Sequence, residues 1–197
     1  MILKKQKNIN TQSGFTLMEM LVVMVIIGIL IILAASNYLS ARIKSRDGAK
    51  KSDLNQVAEA LEMYYNDKGT YPATSGDGEP VGVRTAPNPD ETFAWGDVFH
   101  DPDNSSTIYM NELPVGPGSA ERYFYLSCND ATHCNMGSHC TDDSCNAYML
   151  FARLENLNDP HVATAAGSPA DYGHDCGGQE CNYVVTSSNL SKPAPTP

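Results

Sequence analysis

The chain has 197 residues and a formal charge of −10, with 23 acidic residues against 13 basic ones. That length accommodates one long helix and one modest domain rather than several domains. The acidity is uneven: from Leu54 onward 20 acidic residues stand against 5 basic ones, which repels phosphate backbones and argues against direct nucleic-acid binding.

Residues 1–14 read as a short basic leader. Lys4, Lys5 and Lys7 place its N-terminus in the cytoplasm and the domain on the far side of a membrane. From Met20 to Ala41 there is no charged residue. As a helix that run is roughly 33 Å long, enough to cross the hydrocarbon of a bilayer while satisfying its own backbone hydrogen bonds. Glu19 opens the run as a lone carboxylate, expensive in lipid and a sign of a partner or a function. It suits the positive end of the helix dipole. If the chain is cut after Gly14, Phe15 carries a new ammonium four positions before Glu19, and the two charges can pair within a chain or between copies.

The motif Gly14-Phe15-Thr16-Leu17-Met18-Glu19, followed by an unbroken apolar helix, resembles the type IV pilin and type II secretion pseudopilin family. The resemblance implies cleavage by a prepilin peptidase between Gly14 and Phe15, N-methylation of Phe15, and Glu19 as the assembly carboxylate. The family often has a proline in the second half of this helix. None occurs here between Phe15 and Tyr71, so local melting would rest on Gly28. A cleaved secretory signal ending at Ala34-Ala35-Ser36, or a plain anchor, would also carry an apolar block. Neither accounts for Gly14 or Glu19.

Beyond a basic patch of Arg42, Lys44, Arg46, Lys50 and Lys51, residues Leu54, Val57, Ala58, Leu61 and Tyr65 recur at helical spacing. The patch suits anionic headgroups or acidic neighbours in a filament. Lys68-Gly69 ends the helix, with Pro72 just beyond. One helix is therefore expected from Phe15 to Lys68, its 15–41 part in the membrane or filament core and its 42–68 part amphipathic. Asp67 to Pro72 resembles the family's helix-end turn.

Residues 69–186 form the expected exported domain. Ala73 to Asp103 reads as a long loop with a helical turn at Phe93 to Phe99, anchored by Trp95. Tyr109 to Pro117 resembles the family's Leu-Pro segment, with Gly116 in place of its usual aspartate. Arg122 to Cys128, Ala147 to Leu154 and Cys181 to Thr186 read as strands. The tail, 187–197, is Ser- and Pro-rich and reads as flexible. The expected fold class is α+β and pilin-like: a long N-terminal helix packed on a small antiparallel sheet with long Cys-rich loops.

Six cysteines in an exported domain imply disulfides. A hairpin would set Cys128 opposite Cys145, leaving Cys134 to pair with Cys140 and Cys176 with Cys181 across Gly177-Gly178, one of fifteen pairings. The rival is zinc, from His133-Cys134 and His139-Cys140, though the spacing matches no known knuckle. A calcium loop is a second candidate: Asp101, Asp103, Ser105 and Glu112 fall at its positions 1, 3, 5 and 12. Ser106 in the glycine slot and Pro102 count against it. No cofactor is otherwise called for. No nucleophile motif or phosphate loop points to an enzyme, and His100, His161 and His174 read as solvated.

The expected function is that of a structural filament subunit, of a pilus or pseudopilus. By the resemblance it is processed by prepilin peptidase, polymerised with copies of itself by an assembly platform and a motor ATPase, and held as a single-pass membrane protein before joining a periplasmic or extracellular filament. The alternative is a minor tip subunit that binds a surface through its Cys-rich loop.

Overall fold

The structure, a computed structural model, describes residues 14–82, 90–118, 121–129, 134, 139–142, 144–165 and 168–195, without the side chains of 33–37, 168 and 169. The expected leader, residues 1–13 with Lys4, Lys5 and Lys7, lies outside the described residues, as does His133. The chain divides into two compact units, residues 1–42 and 43–197.

Helix α1, Leu17–Lys68, contributes to both units. It runs without interruption through Gly28 and Gly48. Among the described residues no helix is long and apolar enough to cross a membrane. The segment expected to do so contains 33–37, whose side chains are outside the description. The helix stops where Gly69 takes φ 78° and donates its N–H to the Tyr65 carbonyl at 2.8 Å. That left-handed cap is nearly free for glycine and strained for other residues.

The second unit is built on an antiparallel sheet in the order β10-β7-β6, of Tyr183–Thr186, Ala147–Ala152 and Phe124–Cys128. Every residue of β6 and β7 is buried, and the alternating side chains divide between two cores. On one face Tyr123, Tyr125, Tyr148, Leu150 and Ala152 join Leu54, Val57, Ala60, Leu61 and Tyr64 of α1. On the other, Phe124, Leu126, Cys128, Met149 and Phe151 join Cys176, Cys181 and Leu190. A sheet covered on both faces explains why these strands read as continuous apolar runs.

The segment expected to be a loop with a helical turn contains strands instead. Sheet β1-β2-β3 comprises Ala73–Thr74, Pro80–Gly82 and Glu91–Thr92. Hairpin β4-β5 comprises Phe99–Asp101 and Asn104–Met110. In place of the expected helix at 93–99 there is a turn, closed by the Asp97 N–H to the Ala94 carbonyl at 2.9 Å, and then the start of β4. Strands of two or three residues are set by cross-strand bonds and show no periodicity of their own. Gly78 permits one close approach: a Cβ there would lie 2.3 Å from the Phe124 ring. β8 and β9, Thr164–Ala165 and Ser168–Pro169, close a small hairpin.

The disulfides are Cys128–Cys134, Cys140–Cys145 and Cys176–Cys181. The first two correct the expected Cys128–Cys145 and Cys134–Cys140. In the observed register Cys128 opposes Ala147, so Cys145 lies beyond the end of the ladder. Cys128 and Cys145 also belong to opposite cores, which puts the sheet between them. The expected tail is docked at its start: Ser187 and Leu190 are buried, and the Ser187 Oγ accepts the Tyr148 N–H at 3.2 Å.

Two substitutions on one helix test this packing. Leu61→Ala, at a fully buried position, should destabilise the domain by about 2–5 kcal/mol. Met63→Ala, at a half-exposed position, should change it by less than about 0.5 kcal/mol. Urea unfolding followed by circular dichroism measures both.

Candidate functional site: an exposed apolar helix and its N-terminal cap

Gly14, Phe15 and Thr16 precede α1 in non-helical backbone. Thr16 is the helix N-cap. Its Oγ1 accepts the Glu19 N–H at 3.2 Å, and its carbonyl accepts the Met20 N–H at 3.3 Å. A hydroxyl in this place satisfies one of the helix's orphan donors. The spacing Thr16-x-x-Glu19 is that of a capping box, so the sequence carried this signal, though the apolar run drew attention from it. Glu19 falls in the first turn, where the helix dipole favours a carboxylate. Among the described residues nothing lies within 4 Å of a Cβ built on Gly14.

Every large apolar side chain described from Phe15 to Ile32 is exposed, from 44% at Val23 to 84% at Leu17. They cover all sides of the helix rather than one stripe. An isolated surface helix in water does not carry such a coat; one surrounded by lipid or by other helices does.

The second half of α1 does different work. The basic patch expected to meet headgroups or neighbours is largely used within the second unit. Arg46 forms a two-pronged ion pair with Glu155, including an Nε–Oε1 bond of 2.6 Å. Lys50, 1% exposed, donates to Glu121 Oε1 at 3.0 Å and to the Arg153 carbonyl at 2.8 Å. Lys51 reaches both carboxylate oxygens of Asp159 at 2.8 Å. The buried Asp47 carboxylate accepts the Glu155 and Asn156 N–H groups at 2.8 and 2.9 Å. Arg46 to Lys51, less than two turns of helix, is thus fastened by charge to Glu121 and to the segment from Arg153 to Asp159. Burial alone would raise the Asp159 carboxyl. The Lys51 ammonium, with the His161 backbone and ring, outweighs it and holds Asp159 down at about 2.

The expected calcium set is not brought together. Asp101 ends β4 and Asp103 lies in the two-residue turn of the β4-β5 hairpin, where the Lys68 ammonium bridges them at 2.6 and 3.1 Å. Glu112 lies past the far end of β5, whose seven extended residues separate it from that turn by roughly 20 Å or more. A loop that is strand from Asn104 to Met110 cannot wrap an ion with Ser105 and Glu112 together. His174 also departs from its expected solvated role. It packs against Phe124 and Phe151, with ring centroids 4.7 and 4.5 Å away, and burial pushes its imidazole below the usual value.

Residues 9–35 match the prokaryotic N-terminal methylation motif. The chain is 35% identical over 116 residues to the type II secretion system core protein G of Pseudomonas aeruginosa, covering 59% of this chain and 74% of that one. It is 32% identical over 125 residues to the core protein G of Vibrio cholerae serotype O1, covering 63% and 77%. The match to the core protein G of Escherichia coli K12 is 41% identical over 64 residues, covering 32% and 44%. No solved structure matches the chain.

The charge clamp predicts an acid limb. Asp159 is depressed in the folded state, so its contribution is complete above the unfolded carboxyl value of about 4 and is lost as pH falls through about 2. Stability measured by urea unfolding at stepped pH should fall across that interval. In Lys51→Gln the fall should be shallower, and a limb of unchanged depth would contradict the clamp.

Proposed function

Because the chain belongs to the family of type IV pilins and type II secretion pseudopilins, we propose that it is a structural subunit of a type II secretion pseudopilus. The observation that carries the choice of pseudopilus over pilus is the similarity to core protein G across about three quarters of that protein. The chain enters the membrane through its uncharged run, with the leader inside and the domain outside. Prepilin peptidase cuts between Gly14 and Phe15, and Phe15 is methylated. The subunit then leaves the bilayer and joins a polymer of itself on an assembly platform driven by a motor ATPase.

The proposed mechanism is an exchange of surroundings. Lipid and neighbouring helices are about equally apolar, so the exchange of one for the other supplies little hydrophobic free energy. The difference between a correctly seated subunit and any other arrangement must come from polar groups. Cleavage creates an ammonium at Phe15. Glu19, held in the first turn by the Thr16 cap, is the carboxylate available to it. In a medium of low dielectric that pairing discriminates strongly between registers. The role is structural; the side chains perform no bond chemistry of their own.

Two substitutions separate the steps. Gly14→Ala should leave the precursor uncut and heavier by the fourteen leader residues on a gel. Normal trimming would contradict the cleavage assignment. Glu19→Ala should be trimmed and methylated, as mass analysis of its N-terminus would show, yet give filament yields reduced by roughly tenfold or more, the scale of one lost low-dielectric ion pair. Wild-type yields would contradict the pairing. Electron microscopy should show a uniform polymer of this chain; label confined to rare filament tips would favour a binding subunit instead.

A further inference from the structure

The short loop that leads into β7 holds a second arrangement of chemistry, independent of the filament reading. The Sγ atoms of Cys140 and Cys145 and the carboxylate of Asp142 all lie within 4.8 Å of one another. In the oxidised chain the two cysteines form a disulfide. We propose that in the dithiol state Cys140, Cys145 and Asp142 bind one zinc ion, so that the loop has two interchangeable staples.

The geometry suits the ion. Zinc holds thiolate sulfur at ~2.3 Å and carboxylate oxygen at ~2.0 Å, which places the two donors of a tetrahedral site roughly 3.5 Å apart. Cys140 Sγ stands 3.5 Å from Asp142 Oδ1. The cysteine Cα atoms are 5.7 Å apart, so rotation of the side chains is enough to open the sulfurs around a metal once their bond is broken. Backbone hydrogen bonds also hold both ends of the loop. The Cys140 N–H donates to the Ser127 carbonyl at 2.8 Å, the Cys140 carbonyl accepts the Thr74 N–H at 3.0 Å, and the Cys145 carbonyl accepts the Tyr71 N–H at 2.9 Å. The donors are therefore presented by backbone that is already pinned.

The carboxylate is oriented as a ligand needs. Asp142 Oδ1 accepts the Ser144 N–H at 3.0 Å and the Ser144 hydroxyl at 2.5 Å. These bonds fix the direction in which the carboxylate points, as outer-shell partners of a metal ligand do. Cys140 and Cys145 are buried while Asp142 is exposed. An ion would enter past Asp142 and keep its fourth position toward solvent. Two thiolates with a carboxylate favour zinc over the hard cations, calcium and magnesium. The set differs from the His/Cys pairs singled out by spacing.

The conversion balances. A dithiol reductant gives two electrons and two protons to the Cys140–Cys145 disulfide and becomes a disulfide itself. Zinc then displaces the two protons from the thiols. A disulfide oxidant takes two electrons from the two thiolates and two protons from solvent to become a dithiol, and the zinc ion is released as the Cys140–Cys145 bond re-forms.

The full chain, reduced under anaerobic conditions and titrated with cobalt(II) as a spectroscopic stand-in for zinc, tests this. One ion per chain is expected, with a thiolate-to-cobalt absorption of two-sulfur intensity that zinc displaces and reoxidation abolishes. Cys128→Ser with Cys134→Ser should keep the signal, and Cys140→Ser with Cys145→Ser should lose it. Asp142→Asn should weaken binding at least roughly tenfold, the scale of even an outer-shell loss. The oxidised form of Asp142→Asn keeps its disulfide, so its circular dichroism confirms the fold independently of metal. Absence of stoichiometric uptake by the reduced chain, or uptake indifferent to Cys140 and Cys145 or to Asp142, would overturn the assignment.

Discussion

From Leu17 to Ile32 the helix carries large apolar side chains on every side, none of them less than 44% exposed. Each such side chain would gain roughly 1.5–3 kcal/mol on leaving water. The total, tens of kcal/mol, exceeds the net stability of a whole domain. The molecule's physiology therefore has to be a succession of apolar surroundings for this segment. Lipid is one and a bundle of identical helices is another. In the proposed function the first is traded for the second.

That trade is nearly neutral in apolar terms, which gives a single charge unusual weight. Glu19 is the only charged residue from Thr16 to Ala41. Its place is set by simple means: a threonine cap at Thr16 fixes where the helix begins, and the carboxylate falls in the first turn. In the proposed filament, register between copies rests on one acid and one terminal amine. The second unit has its own cores, with a sheet covered on both faces and a loop fastened to the helix by Asp47, Arg46, Lys50 and Lys51.

Much of this was legible in the sequence wherever one local signal dominated. The long helix announced itself through an uncharged run, a helical period at Leu54, Val57 and Leu61, and a glycine stop at Gly69. The three central strands were marked by aromatic and β-branched runs. What the sequence concealed depended on contacts between distant residues. The two-residue strands at Ala73 and Glu91 exist through their partners. The pairing of Cys128 depended on which face of the sheet it occupied, and a hairpin drawn without its register placed Cys145 wrongly. Asp101 to Glu112 matched a calcium spacing, but that spacing presumes a loop that folds back, and here most of it is extended. The basic patch suggested an outside partner because Glu121, Glu155 and Asp159 lie 70 or more residues away in sequence. Ser187 and Leu190 looked like the start of a tail because nothing local marks them as core.

The central claim is that copies of the same helix cover the side chains between Leu17 and Ile32. A photoreactive residue placed at Val25, in the middle of the segment and half-exposed, reports directly on what lies against it. In cells with active assembly, illumination should produce a ladder of dimers and larger species of this chain, and the ladder should collapse to monomer when the assembly motor is inactivated. Monomer alone, or adducts only with lipid, in cells whose filaments form normally would contradict the account.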